Sequence, residues 1–108
     1  MSFEVLLTED AERDLVDIYT HVADHDSPAK AEHVLDRIEK VIESLRENPG
    51  RGSYPKELAA LGIRDYRQVF FKPYRIIYRT FGERVYVYLL ADGRRDMETL
   101  LTQRLFMA

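Results

Sequence analysis

The chain has 108 residues, of which 45% are hydrophobic and 32% charged, as is usual for one globular domain. It contains no cysteine, which excludes disulfides, thiolate metal sites and thiol catalysis. The net charge of −3 hides an asymmetry, because residues 1–50 carry 13 acidic and 5 basic side chains, whereas residues 51–108 carry 6 acidic and 11 basic ones.

The sequence predicts neither a membrane span nor a signal peptide. No segment approaches the roughly 18 consecutive apolar residues that a membrane helix needs. Residues 1–7 are too short for a secretory signal, and they include a glutamate. We therefore expect a cytoplasmic protein that forms one domain over residues 1–108.

The first half of the chain predicts a strand and two helices. Residues 3–7 form the strand, Thr8 caps the first helix, and Ser27 with Pro28 begins the second. Each helix has one apolar stripe: Ala11, Leu15, Ile18, Tyr19 and Val22 in the first, and Ala31, Val34, Leu35, Ile38, Val41, Ile42 and Leu45 in the second. Two helices with so short a joint form an antiparallel hairpin.

The second half changes to alternating periodicity. A loop over residues 50–64, with one helical turn over 56–61, precedes strands over 66–71, 74–81 and 84–91 and a helix over 96–106. Links of two residues make these strands antiparallel neighbours. The predicted fold is α+β: an N-terminal strand, an antiparallel helix hairpin, a three-stranded antiparallel meander and a short C-terminal helix. The hairpin should cover one sheet face and leave the other to solvent or a partner.

Arginines concentrate in the predicted meander. Arg75 and Arg79 share one face of its middle strand, and we expect that face to be uncovered, because a buried unpaired guanidinium is costly. Arg94 and Arg95, just past the third strand, extend the same basic surface. This surface either attracts an anionic partner or merely keeps the strands from pairing with other chains.

The sequence offers little for catalysis or metal binding. His21, His25 and His33 all lie in the acidic helical half, and the His21–His25 spacing lacks a third metal ligand. No Ser-His-Asp arrangement, phosphate-binding glycine loop or dinucleotide fingerprint is present, so we expect no metal and no cofactor. Five tyrosines of the meander either pack within the sheet or stack on nucleic-acid bases: Tyr66, Tyr74, Tyr78, Tyr86 and Tyr88.

Four motifs in order resemble the RelE/ParE superfamily of bacterial toxins. They are residues 8–15 with Ile18-Tyr19, Asn48-Pro49 with Gly52, Tyr74-Arg75-Ile76-Ile77-Tyr78, and Asp92-Gly93-Arg94-Arg95-Asp96 before Leu100-Leu101. The resemblance covers nearly the whole chain. It implies the toxin of a type II toxin–antitoxin pair, neutralised in a hetero-oligomer by an antitoxin whose C-terminal segment wraps it.

The resemblance implies one of two activities. The RelE branch cleaves mRNA on the ribosome with a basic cluster, of which Arg75 and Arg94 match two members. The lysine positions of that cluster fall near Tyr66 and Gln68, and its tyrosine position falls near Leu100, so the proton-transfer groups are missing. The ParE (plasmid stabilisation) branch acts on DNA gyrase without being an enzyme, and its Arg-Arg-Asp turn is more similar. We therefore expect a gyrase inhibitor.

Two alternatives stay open. One is a ribosome-dependent mRNA endoribonuclease that uses Arg75 and Arg94 and recruits Lys72 or a tyrosine for proton transfer. The other is a relative that binds its antitoxin but is no longer toxic.

The resemblance also leads to expected binding residues. For contact with the target we expect Arg94, Arg95 and Arg104, supported by Arg75. For the antitoxin we expect an apolar groove on the helix hairpin and acidic partner side chains that pair with arginines of the sheet. These residues are Leu15, Tyr19, Val34 and Ile38, which otherwise belong to the core, together with Arg75 and Arg79.

Overall fold

A computed structural model describes residues 2–107 as a four-stranded sheet with helices on both faces. No helix in this range is long and apolar enough to cross a membrane. The elements are β1 (Glu4–Leu7), α1 (Glu9–His25), α2 (Pro28–Glu43), 3₁₀ turns at Ser44–Arg46 and Pro49–Arg51, α3 (Lys56–Ala59), β2 (Arg67–Phe71), β3 (Tyr74–Phe81), β4 (Arg84–Asp92) and α4 (Met97–Phe106).

The two long helices begin where their capping residues predict. The Thr8 hydroxyl accepts a hydrogen bond from the Ala11 amide at 3.1 Å, and the Ser27 hydroxyl accepts one from the Lys30 amide at 3.0 Å. Three acidic residues in the first turn of α1 stabilise the helix, because their negative charges lie at the positive end of its dipole. The predicted hairpin is confirmed, although α2 is shorter than expected and continues as a 3₁₀ turn.

The sheet has the strand order β1-β4-β3-β2. The meander of β2, β3 and β4 is antiparallel, as predicted, and β1 pairs in parallel with β4. Antiparallel pairing of β3 and β4 contains a register shift: Ile77 pairs with Leu89 and Tyr78 pairs with Val87. The unpaired residue between them, Tyr88, forms a β-bulge.

The helix hairpin covers the first face of the sheet. Its buried stripe packs on inward-facing residues of β2, β3 and β4, which makes the main core. Burial is complete for the central members of this cluster, including Ile38, Ile76 and Tyr78. Burial of these apolar side chains therefore stabilises the packing of the helix hairpin on the sheet.

The second face of the sheet is half covered, and the prediction that it is open was wrong. α3 and α4 pack on it through a smaller apolar cluster comprising Leu58, Tyr66, Ile77, Leu89, Ala91, Met97 and Leu101. The apolar residues of α4 were visible in the sequence, but nothing local showed on which face they pack. Because β3 presents Ile77 to this face, α4 gains a buried partner there.

Candidate functional site

Arg75 lies on the predicted face, but it is not exposed. Its side chain is 9% exposed, and Nη1 and Nη2 each donate to the Glu57 carboxylate at 2.8 Å; the Glu57 side chain is 14% exposed. Nε and Nη2 also donate to the Gln68 amide oxygen. The expectation of an open Arg75 is therefore corrected: α3 brings a carboxylate over it, which meets the cost of burying the guanidinium.

The Glu57–Arg75 contact is electrostatically favourable to the ionised carboxylate. The hydrogen bond from Arg75 holds the pKa of Glu57 below its ordinary value of 4.5, although burial opposes this shift. The positive charge of Arg75 is thus neutralised by Glu57 within the domain. An external phosphate or carboxylate would have to displace Glu57 to reach it.

Arg104 is also held inside the fold. Its Nη1 donates to Asp14 Oδ2 at 2.7 Å and to the Tyr88 carbonyl at 2.8 Å, and its Nη2 donates to Asp14 Oδ1 at 3.0 Å. Asp14 Oδ2 also accepts from the Leu90 amide at 2.9 Å. Arg104 therefore ties α4 to α1 and β4, and it is not the free cation that the sequence suggested.

Arg94 and Arg95 remain on the surface at the end of β4. Arg94 pairs with the Asp92 carboxylate through Nε and Nη2, and this hydrogen bonding lowers the pKa of Asp92. Arg95 lies at the rim of a cavity of about 460 Å³ between α1 and the end of β4. Its other lining residues include Asp17, His21 and Tyr74. The two arginines are the basic pair that the fold leaves accessible.

Three tyrosines of the meander are poor proton-transfer groups. Burial raises the pKa of the Tyr74, Tyr78 and Tyr88 phenols, which disfavours the phenolate needed for a base. Tyr74 and Tyr78 also face the main core, on the opposite side of the sheet from Arg75. Leu100, at the position where the RelE branch has a tyrosine, is half-buried. Arginine stabilises negative charge but does not release its proton near neutral pH. Neither Arg75, which Glu57 holds, nor these three phenols is therefore suited to acid–base catalysis.

The helical histidines form no metal centre in residues 2–107. No group of three histidine, aspartate or glutamate side chains in that range is placed to hold a metal ion. His21 and His25 are exposed, and their rings stack with centroids 4.1 Å apart.

A shallow apolar groove of about 320 Å³ runs between the outer faces of α1 and α2. Leu15 and Tyr19 line it, as expected for an antitoxin-binding groove. Val34 and Ile38 do not, because both are buried in the main core, and their placement in the groove is corrected. The remaining lining residues are Glu12, Val16, Leu35 and Glu39.

A third concavity, of about 410 Å³, lies beside β2 on the second sheet face. Lys56 and Lys72 border it, together with the exposed rings of Tyr54 and Phe70. The buried Arg75 side chain forms part of its wall.

A family model described as the ParE toxin of type II toxin–antitoxin systems, parDE, matches residues 5–97. The chain belongs to the ParE toxin family. The match extends from β1 through the first residue of α4, so it includes Arg75, Arg94 and Arg95. No curated protein is a significant match to this ParE-family chain.

Solved structures share the ParE-family fold. A chain of the chromosomal ParDE system from P. aeruginosa has a TM-score of 0.71 and 20% identity, covering 84% of this chain and 96% of that chain. The RelBE2 toxin–antitoxin complex from Mycobacterium tuberculosis has a TM-score of 0.60 and 18% identity, covering 85% and 92%. A mutant of the E. coli toxin RelE in the free state has a TM-score of 0.60 and 13% identity, covering 93% of each chain. These identities show the RelE/ParE-like fold alone.

The sequence did not reveal which carboxylates pair with Arg75 and Arg104. Glu57 belongs to a four-residue helix within the loop predicted over residues 50–64, and Asp14 was not among the predicted site residues. Their partners are 18 and 90 residues away along the chain. The only available signal was the cost of burying an arginine, which demands a carboxylate nearby without saying which one.

Proposed function

We propose that this ParE-family toxin inhibits DNA gyrase and is neutralised by a cognate antitoxin. The observation that carries the gyrase assignment is the sequestration of Arg75. A ribonuclease of the RelE kind would need this guanidinium to stabilise negative charge on the reacting phosphate. Here Glu57 and Gln68 occupy it.

The proposed target contacts are Arg94 and Arg95. Both are exposed, they follow each other at the end of β4, and their position beside a cavity gives a partner side chain a place to enter. The Arg94 side chain is 79% exposed and its partner Asp92 is 25% exposed, and an ion pair with so exposed a guanidinium contributes little and exchanges readily. Arg104 is left out of the contact set, because its guanidinium is engaged by Asp14.

Gyrase, ATP and supercoiled plasmid provide the test. We expect the toxin to produce linear DNA after detergent and protease treatment, and we expect the Arg94→Ala/Arg95→Ala variant to produce at least about tenfold less, because two charged contacts are lost. The matched control is Arg13→Ala/Lys40→Ala, which removes the same charge from exposed positions on the hairpin. Equal activity of both double variants would remove the assignment of the two arginines.

The ribonuclease alternative predicts a different result. Lys56 and Lys72, which border the concavity beside Arg75, are the observation in its favour. If the toxin leaves gyrase unaffected at large excess and cleaves translated mRNA in a primer-extension assay, the ribonuclease replaces the gyrase inhibitor. If it does neither, the chain is a binding partner that is no longer toxic.

For the antitoxin, we propose that a helix docks in the groove between α1 and α2. Leu15, Val16, Tyr19 and Leu35 provide an apolar floor, and Glu12 and Glu39 border it. A fitting partner helix has apolar residues at helical spacing and lysine or arginine beside them. Arg79 remains half-exposed and can pair with an acidic residue of the same antitoxin, whereas Arg75 cannot without displacing Glu57.

Val16→Asp is expected to weaken antitoxin binding by about tenfold or more while leaving the toxin folded, because it places a charge in an apolar contact. Val16 is 63% exposed in the toxin alone, so the free toxin loses little burial. The matched control is Leu61→Asp, at another exposed apolar position that is 71% exposed and outside the groove. Titration calorimetry with the cognate antitoxin measures both; an equal effect at Leu61 would contradict the groove as the binding site.

A further inference from the structure

The open half of the second sheet face carries a continuous row of aromatic rings. Tyr66 and Tyr88 meet edge to face with centroids 5.6 Å apart, Tyr88 and Tyr86 are 6.5 Å apart, and Tyr86 and Phe81 are 6.0 Å apart. The Arg79 guanidinium lies 4.2 Å from the Phe81 centroid and 5.5 Å from that of Tyr66. We call these five residues the aromatic row.

Strand register explains why these rings share a face. Arg79 pairs directly with Tyr86 across β3 and β4, so both point to the same side. The β-bulge at Tyr88 leaves this residue and Leu89 both on the second face, where both contact the second cluster. The sheet therefore directs the rings of two adjacent central strands away from the helix hairpin.

Apart from Tyr66, which is buried, the row is accessible because α3 and α4 cover only the other end of this face. The apolar cluster beneath those helices includes Tyr66 and touches Tyr88, but it does not include Tyr86 or Phe81. Phe81 is 44% exposed, and Tyr86, Tyr88 and Arg79 are partly exposed. The solvent exposure of the large apolar Phe81 ring indicates that this part of the sheet is a binding surface.

Two arginines lie in or beside the row, and each is paired with a carboxylate in a solvent-accessible ion pair. Arg79 lies 3.3 Å from the Asp65 carboxylate, and Arg84, which pairs with Phe81 across the strands, lies 3.1 Å from Glu4. All four side chains are about one-third exposed or more. Surface pairs of this kind contribute little to stability, so a phosphate can replace either carboxylate.

We propose that the aromatic row binds single-stranded nucleic acid. Bases stack on aromatic rings and on arginine planes, and a sheet face with aromatic residues on central strands is an arrangement that RNA-binding domains use for this purpose. Arg79 and Arg84 supply the phosphate contacts. The row lies at the opposite end of β3 from Arg75, so this binding site is separate from Arg75 and does not depend on the proposed action on gyrase.

Charge and chemistry favour a nucleic acid strand over an acidic protein segment. A peptide rich in carboxylates would need the arginines but would gain nothing from four adjacent rings. A nucleic acid strand uses both kinds of group at once, because every base has a face that stacks and every link carries a charge.

Fluorescence anisotropy with end-labelled oligo-dT and oligo-rU of about 12 nucleotides tests the proposal. We expect both strands to bind the full-length toxin, with a logarithmic salt slope of roughly −1.4 for two phosphate contacts. Phe81→Ala and Tyr86→Ala should each weaken binding by roughly tenfold. Arg79→Gln should reduce the salt slope. Preference for one oligonucleotide identifies the natural strand as DNA or RNA.

The matched control is Phe70→Ala. Phe70 is on the same sheet face and is 46% exposed, slightly more than Phe81, but it lies at the other end, beside Lys72. We expect no change in binding, and a denaturation midpoint for each variant verifies the fold. The proposal is overturned if neither oligonucleotide binds at millimolar toxin, if Phe70→Ala weakens binding as much as Phe81→Ala, or if polyglutamate competes as well as unlabelled oligonucleotide.

Discussion

Replacing Glu57 with alanine is expected to lower the free energy of unfolding by about 3–5 kcal/mol, the usual cost of leaving one member of a buried ion pair without its partner. Arg75 would keep only its hydrogen bonds to the Gln68 amide oxygen, which carries no full charge. The loss is measurable as a shift of the urea midpoint. The matched control is Glu9→Ala, which breaks the exposed pair with Arg13 and should cost less than about 1 kcal/mol.

A double variant separates the charge from the packing. Glu57→Ala/Arg75→Met removes both ions, so it should be more stable than Glu57→Ala alone. If Glu57→Ala costs less than about 1 kcal/mol, or if the double variant is the less stable of the two, then the pair does not hold α3 on the sheet as the geometry indicates. Arg75 would in that case be open to RNA as well.

Acid should weaken the same contact. The pKa of Glu57 is lowered in the folded state, so the unfolded chain takes up the proton first as the pH falls. The pair therefore contributes its full stability above the ordinary glutamate pKa of 4.5, and the contribution is lost as the pH falls through the lowered folded value. Glu57→Gln should show a smaller loss of stability than the wild type over this acid range.

The fold engages two of its arginines in structural ion pairs and leaves others at the surface. Arg75 and Arg104 each meet a carboxylate in bidentate geometry in partly or fully buried surroundings, and they hold α3 and α4 in place. Arg94, Arg95 and Arg79 stay at the surface. The basic half of the chain is therefore less available to anions than its composition suggests.

Local signals were enough to predict most of the elements. Thr8 and Ser27 cap helices through contacts three residues away, and the alternation of β3 placed Arg75 and Arg79 on the same face correctly. Local signals could not show what covers that face. α3 has only four residues, and its place on the sheet depends on Leu58 and Glu57 meeting groups far along the chain.

The groove residues illustrate the same limit. Helical spacing cannot separate Leu15 and Tyr19 from Val34 and Ile38, since all four lie on apolar stripes of the two helices. The rotation of α1 and α2 about their axes decides which of these four side chains face the sheet. In the observed orientation Ile38 is completely buried, whereas Leu15 and Tyr19 line the groove. Val16 lies outside the predicted stripe, and only the packed hairpin shows that it borders the groove.

Replacing Gly52 with alanine is expected to destabilise the fold by about 2–4 kcal/mol, because a methyl group has no room there. A Cβ on Gly52 would lie 2.5 Å from the Tyr78 hydroxyl and 2.6 Å from the Gln68 carbonyl oxygen. That hydroxyl accepts a hydrogen bond from the Gly52 amide at 3.1 Å and donates to the Pro49 carbonyl. Tyr78 thus fastens the loop after α2 to the sheet, and the methyl group would push them apart.

Thermal unfolding of Gly52→Ala and Gly50→Ala distinguishes this contact from a general effect of removing a glycine. A Cβ at Gly50 meets nothing closer than the Asn48 Oδ1 at 3.9 Å, so we expect a change within about 0.5 kcal/mol. In a Tyr78→Phe background, Gly52→Ala should cost less than in the wild type, because one of the two clashing atoms is gone while the Gln68 carbonyl remains. Equal costs in both backgrounds would mean that the loop is held by the β-bridge between Ser53 and Gln68 rather than by Tyr78.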